Sequence, residues 1–242
     1  MRDVIIYQPW GGLGDNLCHT VFPLLCKKYG KRCFLSNQNA YRNAEIYKLL
    51  WENNPDITGR VDYTDISWAH NLGPFMRNDL NILEVTQTYF GYPPEYHYPV
   101  INYTPKKIEE LANKTILDLS AVTTRDQCIS LMSNVERALQ TFNLDKDTIC
   151  PVIGQANCQQ IIPNLFPEYK INSLEHYADV LYSSKRLISF HSGQHSLAAA
   201  IKHQTNCDLE INTLILEQYM SHNGPGYHFK NVNYFNINKY TQ

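Results

Sequence analysis

The 242-residue sequence has no apolar run of the ~18 residues that a membrane-spanning helix needs. Its first residues, MRDVIIYQPW, have an apolar stretch too short for a secretion signal and interrupted at once by polar groups. It also lacks any long basic run, and its formal net charge is only -2, so neither an extended nucleic-acid track nor a membrane-surface patch is indicated. The seven cysteines, Cys18, Cys26, Cys33, Cys128, Cys150, Cys158 and Cys207, contain no C-x-x-C pair, and their number is odd. A disulfide framework and a zinc site are therefore not expected, and most of these thiols read as reduced core residues. The histidines show no metal-ligand spacing, and no short repeat or low-complexity tract is present. These absences suit a cytoplasmic protein, and the Asn- and Tyr-rich composition would suit a phage protein, so the expected location is a bacterial cell or a phage-infected host.

What is present is an alternation of apolar runs and amphipathic stretches. DVIIYQ reads as a strand buried on both faces. After a glycine turn, Leu17, Val21, Leu24 and Leu25 share one face of a helix that Pro23 should bend and Gly30 should end. KRCFLS and GRVDYTD read as further strands, with a helix around Ala44, Tyr47, Leu50 and Trp51 between them. Strands separated by helices imply βαβ units and a parallel sheet. NDLNILEVTQTYF reads as helical, and YPPEYHYPVINYTP, with four prolines, marks a joint. Beyond it KKIEELANK and CISLMSNVERALQTF read as helices. TILDLSAV, TICPVIGQ, RLISFHS and NCDLEINTLI read as strands, and INSLEHYADVLYSS and GQHSLAAAIKH as helices. The expected fold class is α/β, with two Rossmann-like parallel-sheet domains facing across a cleft. The expected division is 1–95, then 106–220, with a tail at 221–242 packing back on the N-terminal domain.

Three turns carry chemistry. The first is QPWGGLGDNL, residues 8–17. Gly12-x-Gly14 follows a strand and opens a helix, as in a dinucleotide fingerprint, but Leu17 stands where the third glycine belongs. Ser36 and Asn37 replace the acidic residue expected after the second strand. No Gly-Lys-Ser/Thr follows, so it is not a P-loop either. What remains is a bare turn, Gly12 and Gly14, where a ligand can approach the backbone near a helix N-terminus. Asp15 beside it is either a helix cap or a general base at the carboxyl end of the first strand. The second turn is SFHSGQHSLAAA. His191, Ser192, Gly193 and Gln194 offer hydroxyl, imidazole, amide and backbone N–H groups to a phosphate, or form an ordinary strand-to-helix turn. The third is SAVTTRDQ, where Thr124 and Arg125 could clamp a diphosphate, or belong to a solvated turn capped by Asp126.

Taken together these residues resemble the heptosyltransferase-type glycosyltransferases of GT-B fold. The likeness rests on Gly14-Asp15-Asn16-Leu17, on the stretch NAEIYKLLWENNPDI, and on YADVLYSSKRLISFHSGQHSLAAAIK, in that order along the chain. It implies a nucleoside diphosphate sugar donor held by the C-terminal half at Ser192 and Gly193, with Thr124 and Arg125, and an acceptor held by the N-terminal half. It implies Asp15 as catalytic base. No DxD-like metal motif lies near these turns, so no metal is expected, and no cofactor beyond the sugar nucleotide. The chain departs from the family where His191 replaces an aspartate, Gln194 a proline, and Ser196 a histidine. The acceptor would be a surface glycan or a modified base in phage DNA. Two other readings keep the fold: a nucleotide-sugar epimerase, using groups such as Glu84, Glu95 and His97, and a non-catalytic nucleotide-sugar binding protein.

Overall fold

The computed structural model describes residues 1–62, 80–120, 125–154, 160–220 and 228–240. The chain forms two compact units. The first holds Met1–Thr104 with His222–Phe229, and the second holds Pro105–Ser221 with Lys230–Gln242.

In the first unit, β1 (Val4–Ile6), β2 (Cys33–Ser36) and β3 (Gly59–Val61) form a parallel sheet in that order. Val4, Ile6, Cys33 and Leu35 are fully enclosed, which is why these short apolar runs are strands. The stretch read as one helix after the glycine turn is two: α1 (Leu13–Leu17) and α2 (Phe22–Lys28). The break precedes Pro23 instead of falling at it. Pro23 lies in the first turn of α2, where its missing N–H costs nothing. α3 (Ala44–Leu50) starts at Asn43, whose side chain accepts from Ile46 N, and α4 (Ile82–Tyr89) starts at a reciprocal cap between Asn81 and Glu84. Ile82 and Val85 of α4 pack against Cys18, and Phe22 meets Phe90 edge to face at 4.9 Å.

The second unit contains β4 (Thr115–Asp118), β5 (Thr148–Ile153), β6 (Glu168–Ile171), β7 (Arg186–Phe190), β8 (Glu210–Ile215) and β9 (Asn233–Asn236). All neighbours are parallel, and the order across the sheet is β6-β5-β4-β7-β8-β9. The chain therefore winds one way from β4, returns, and winds the other way from β7: a doubly wound sheet with its switch point between β4 and β7. KKIEELANK makes only a 3-10 turn at Glu109–Leu111. CISLMSNVERALQTF divides at Leu131 into α5 (Arg125–Ser130) and α6 (Met132–Gln140). α7 (Leu174–Ser183) is capped by Ser173, α8 (Gly193–Thr205) ends at the left-handed Asn206, and α9 (Glu217–Met220) follows β8. One face of the sheet buries Leu117, Ile188, Phe190 and Leu214 against Val135, Ala138 and Leu139 of α6. Of the segment expected as a tail, residues 233–236 are β9, paired along β8, because its backbone completes an otherwise open sheet edge.

Candidate active site

In the first unit the chemistry collects at the carboxyl end of β1. Gln8 is fully buried and organises the turn. Its Nε2 donates to Asp15 O at 3.2 Å, its Oε1 accepts from Trp10 N at 3.0 Å, and its own N–H donates to Asn39 Oδ1 at 2.7 Å. Gly11 lies at φ +67°, and a Cβ there would stand 3.0 Å from Arg42 N and 3.2 Å from the backbone of Ala40 and Tyr41. Only glycine lets the two chain segments touch. Gly12 begins α1, and a Cβ on it would stand 2.5 Å from Asp15 Oδ2. The Asp15 carboxylate thus lies folded against the bare face of Gly12.

Asp15 sits in the first turn of α1, three residues after the extended Gly12 that begins it, so it is not the N-cap residue. Its carboxylate is half-buried. Gly14, also half-buried, accepts at its carbonyl from Cys18 N and Sγ. Asn16 braces the turn from below: Nδ2 donates to Gly12 O at 3.0 Å and Oδ1 accepts from Trp51 Nε1 at 3.4 Å. His19 lies beneath, with Nδ1–H donating to Asp15 O at 3.2 Å. Burial lowers its pKa from the usual 6.5 to about 4, so the ring is neutral and places no positive charge under the carboxylate.

In the second unit the groups gather at the switch point, where open α/β sheets bind ligands. Ser192 precedes α8 in extended conformation, its N–H donating to His195 Nδ1 at 3.0 Å. α8 is 13 residues long, and its first-turn amides, from Gly193 onward, face the end of the sheet that carries the switch point. Gln194 Nε2 donates to Ser120 O at 2.9 Å and to Ser120 Oγ at 2.6 Å. Ser120 Oγ in turn donates to Asp118 Oδ1 at 2.6 Å. Asp118 is fully buried and also accepts from Tyr177 OH at 2.6 Å and from Gln160 Nε2 at 3.2 Å. Burial pushes its pKa up, while the donors of Ser120, Tyr177 and Gln160 pull it down. The His191 ring stacks on His195 with centroids 4.6 Å apart and on Tyr219 at 5.9 Å. Arg125 is half-buried at the start of α5. Thr124 lies outside the described residues.

Sequence reasoning missed Gln8, Asn16, Asp118 and Tyr177. Asp118 had a signal, a lone carboxylate in the apolar strand TILDL. Gln8 and Tyr177 had none: nothing in the sequence marks which glutamine or tyrosine will be buried with its polar end bonded, at Gln8 to Trp10, Asp15 and Asn39 and at Tyr177 to Asp118. Among the described residues no group of three or more His, Cys, Asp or Glu is gathered in a way that could hold a metal ion.

No known family profile matches the chain, and no curated protein sequence matches it. Solved structures do share the fold. The iron-containing dodecameric glycosyltransferase TibC of enterotoxigenic E. coli superposes with a TM-score of 0.57 at 16% identity, over 88% of this chain and 58% of its own. A structure of the same heptosyltransferase in complex with ADP-D-beta-D-heptose gives a TM-score of 0.55 at 15% identity, covering 89% of this chain and 58% of that one. A family 9 glycosyl transferase of Veillonella parvula gives 0.54 at 11% identity, over 97% and 84%. The chain thus spans 58% of the length of TibC. Its architecture, α/β with Rossmann-like parallel sheets, is that of GT-B-type glycosyltransferases.

Proposed function

We propose that the protein is a glycosyltransferase that moves a sugar from a nucleoside diphosphate sugar to an acceptor hydroxyl, with Asp15 as general base. The observation that carries this reading is the Asp15 carboxylate folded onto the glycine turn at the carboxyl end of β1, in a fold shared with glycosyltransferases. As the acceptor oxygen bonds to the anomeric carbon, its proton passes to Asp15. The bond from that carbon to the donor diphosphate breaks, and its electron pair leaves on the phosphate oxygen. The departing charge is met by the amides at the start of α8, by Ser192 and Gly193, and by Arg125 and His191 as cationic or N–H donors. Gln194 holds this turn to β4 through Ser120, so its part is to position the phosphate groups. The complex of TibC with a sugar nucleotide supports the donor class.

Asp15→Asn tests the assignment. It keeps the shape of the side chain and removes the base. The expected result is a loss of turnover of about 10²- to 10⁴-fold with donor binding retained. Unchanged turnover would leave Asp15 a purely structural residue.

One observation keeps the epimerase reading in view: His97 Nδ1 meets Glu84 Oε1 at 2.5 Å, a carboxylate–imidazole pair. Glu95, in contrast, is tied to Lys28 and Tyr29. Product analysis separates the two readings, since transfer releases the free nucleoside diphosphate and epimerisation returns an intact sugar nucleotide.

A further inference from the structure

The second sheet carries a polar row on a face where apolar side chains are the rule. Leu117, Ile188 and Leu214 pack with α6 on one side of the sheet. Side chains alternate along a strand, so Asp118, Ser189 and Thr213 stand on the other side, which Tyr177 of α7 and the helix α8 cover. The three are neighbours across the sheet, Asp118 opposite Ser189 and Ser189 opposite Thr213. All are fully buried. Among the described residues, Ser189 Oγ and Thr213 Oγ1 have no hydrogen-bond partner, so they bond neither each other nor Asp118. On the covering helix, Ser196 Oγ is buried without a partner as well. Asp118 Oδ1 accepts from Ser120 N, Ser120 Oγ and Gln160 Nε2, but Oδ2 accepts only from Tyr177 OH. A carboxylate oxygen accepts from two directions, so Oδ2 keeps a lone pair to offer. These donors are all neutral, and among the described residues Asp118 forms no ion pair. A buried carboxylate calls for a positive partner or a metal ion.

We propose that Asp118 Oδ2, Ser189 Oγ and Thr213 Oγ1 bind a monovalent cation, sodium or potassium, between the sheet and α8. The donors are all oxygen, which selects a hard ion over a transition metal. One carboxylate among neutral hydroxyls balances a single positive charge, whereas the sites of divalent calcium gather several carboxylates. The strand spacing of about 4.8 Å is twice a hard-cation contact of roughly 2.4 Å, so one ion can bridge neighbouring strands. A water molecule would satisfy the hydroxyls and leave the carboxylate without a counter-ion. The ion ties β4, β7 and β8 together close to the turns at Ser120 and Ser192. It does not depend on the glycosyl-transfer reading.

The test is differential scanning fluorimetry in sodium, potassium and tetramethylammonium chloride at matched ionic strength. Wild type is expected to melt about 5 °C higher in sodium or potassium, with a response that saturates. Ser189→Ala and the isosteric Thr213→Val should each lose most of that shift. In tetramethylammonium both should melt at or above wild type, because each removes an unpaired buried hydroxyl. Crystals soaked in thallium(I), an anomalous scatterer that replaces potassium, should show a peak touching Asp118, Ser189 and Thr213. Equal melting of wild type in all three salts, variants that keep the full shift, or water density with no anomalous signal would overturn the proposal.

Discussion

At the scale of single residues, the glycine turn shows how one atom decides geometry. Gly11→Ala puts a Cβ at a positive φ and against backbone that cannot give way. A loss of about 1–3 kcal/mol in denaturant unfolding is expected. Gly12→Ala differs, because the added carbon meets side-chain atoms and no backbone, and the one too close, in the Asp15 carboxylate, can swing aside. It should cost under ~1 kcal/mol in the same assay yet lower turnover as severely as loss of the base. His19 makes a pH prediction. Its folded pKa is depressed to about 4 against the usual 6.5. As pH falls through that window the unfolded chain takes up the proton first, so the neutral ring's contribution is complete above pH 6.5 and disappears toward pH 4. The difference is roughly 3 kcal/mol. Asp118 acts in the opposite sense, since its raised pKa favours the fold at low pH and that gain fades as pH rises. Comparing His19→Gln with wild type isolates the histidine. The variant keeps a donor for Asp15 O and should show a flatter decline of melting temperature between pH 6.5 and 4.

At the scale of elements, the turn before α8 is joined to the end of β4 through the chain Gln194–Ser120–Asp118–Tyr177. This clip joins the two turns just beyond the last paired residues of β4 and β7, Asp118 and Ser189. Gln194→Glu replaces an N–H donor by a carboxylate facing the Ser120 carbonyl. It should destabilise the fold by about 1–3 kcal/mol, measured by urea unfolding. It should also weaken the melting shift given by nucleoside diphosphates, as the turn loses its alignment. The apolar strands β1, β4, β5, β7 and β8 were legible in the sequence because each is a buried run bounded by turn residues. β6 and β9 were not. EYKI and NYFN are polar edge strands whose pattern carries little signal, and they become strands by pairing with β5 and β8. The helix breaks at Cys18–Val21 and at Leu131 were likewise hidden, since the apolar period runs on through them.

At the scale of the whole molecule, the doubly wound second unit makes nucleotide binding the expectation with the widest reach. A nucleoside diphosphate present at about a hundred times its dissociation constant should add ~2.7 kcal/mol of stability. A differential scanning fluorimetry screen against nucleoside diphosphates and their sugars reads this directly. Asp15→Asn should respond like wild type, because Asp15 belongs to the first unit and, in the proposed reaction, meets the acceptor and not the donor. Absence of any response would count against the donor assignment and leave the fold untouched.

The sequence by itself determined the alternation of strand, bare turn and helix, and with it the carboxylate after the first glycine turn. Local periodicity and turn chemistry act within a few residues and need no partner. Tertiary structure alone decided the order β6-β5-β4-β7-β8-β9, the clamp of Gln8 on Trp10 and Asp15, and the burial of Asp118 beneath Ser120 and Tyr177. Parallel strands, and Tyr177 with Asp118, find their partners across long stretches of chain, while the burial of Gln8 and Asp118 against near neighbours depends on what packs over them. Which carboxylate lies folded on a glycine face and which lies sealed under a clip therefore depends on how the sheets close.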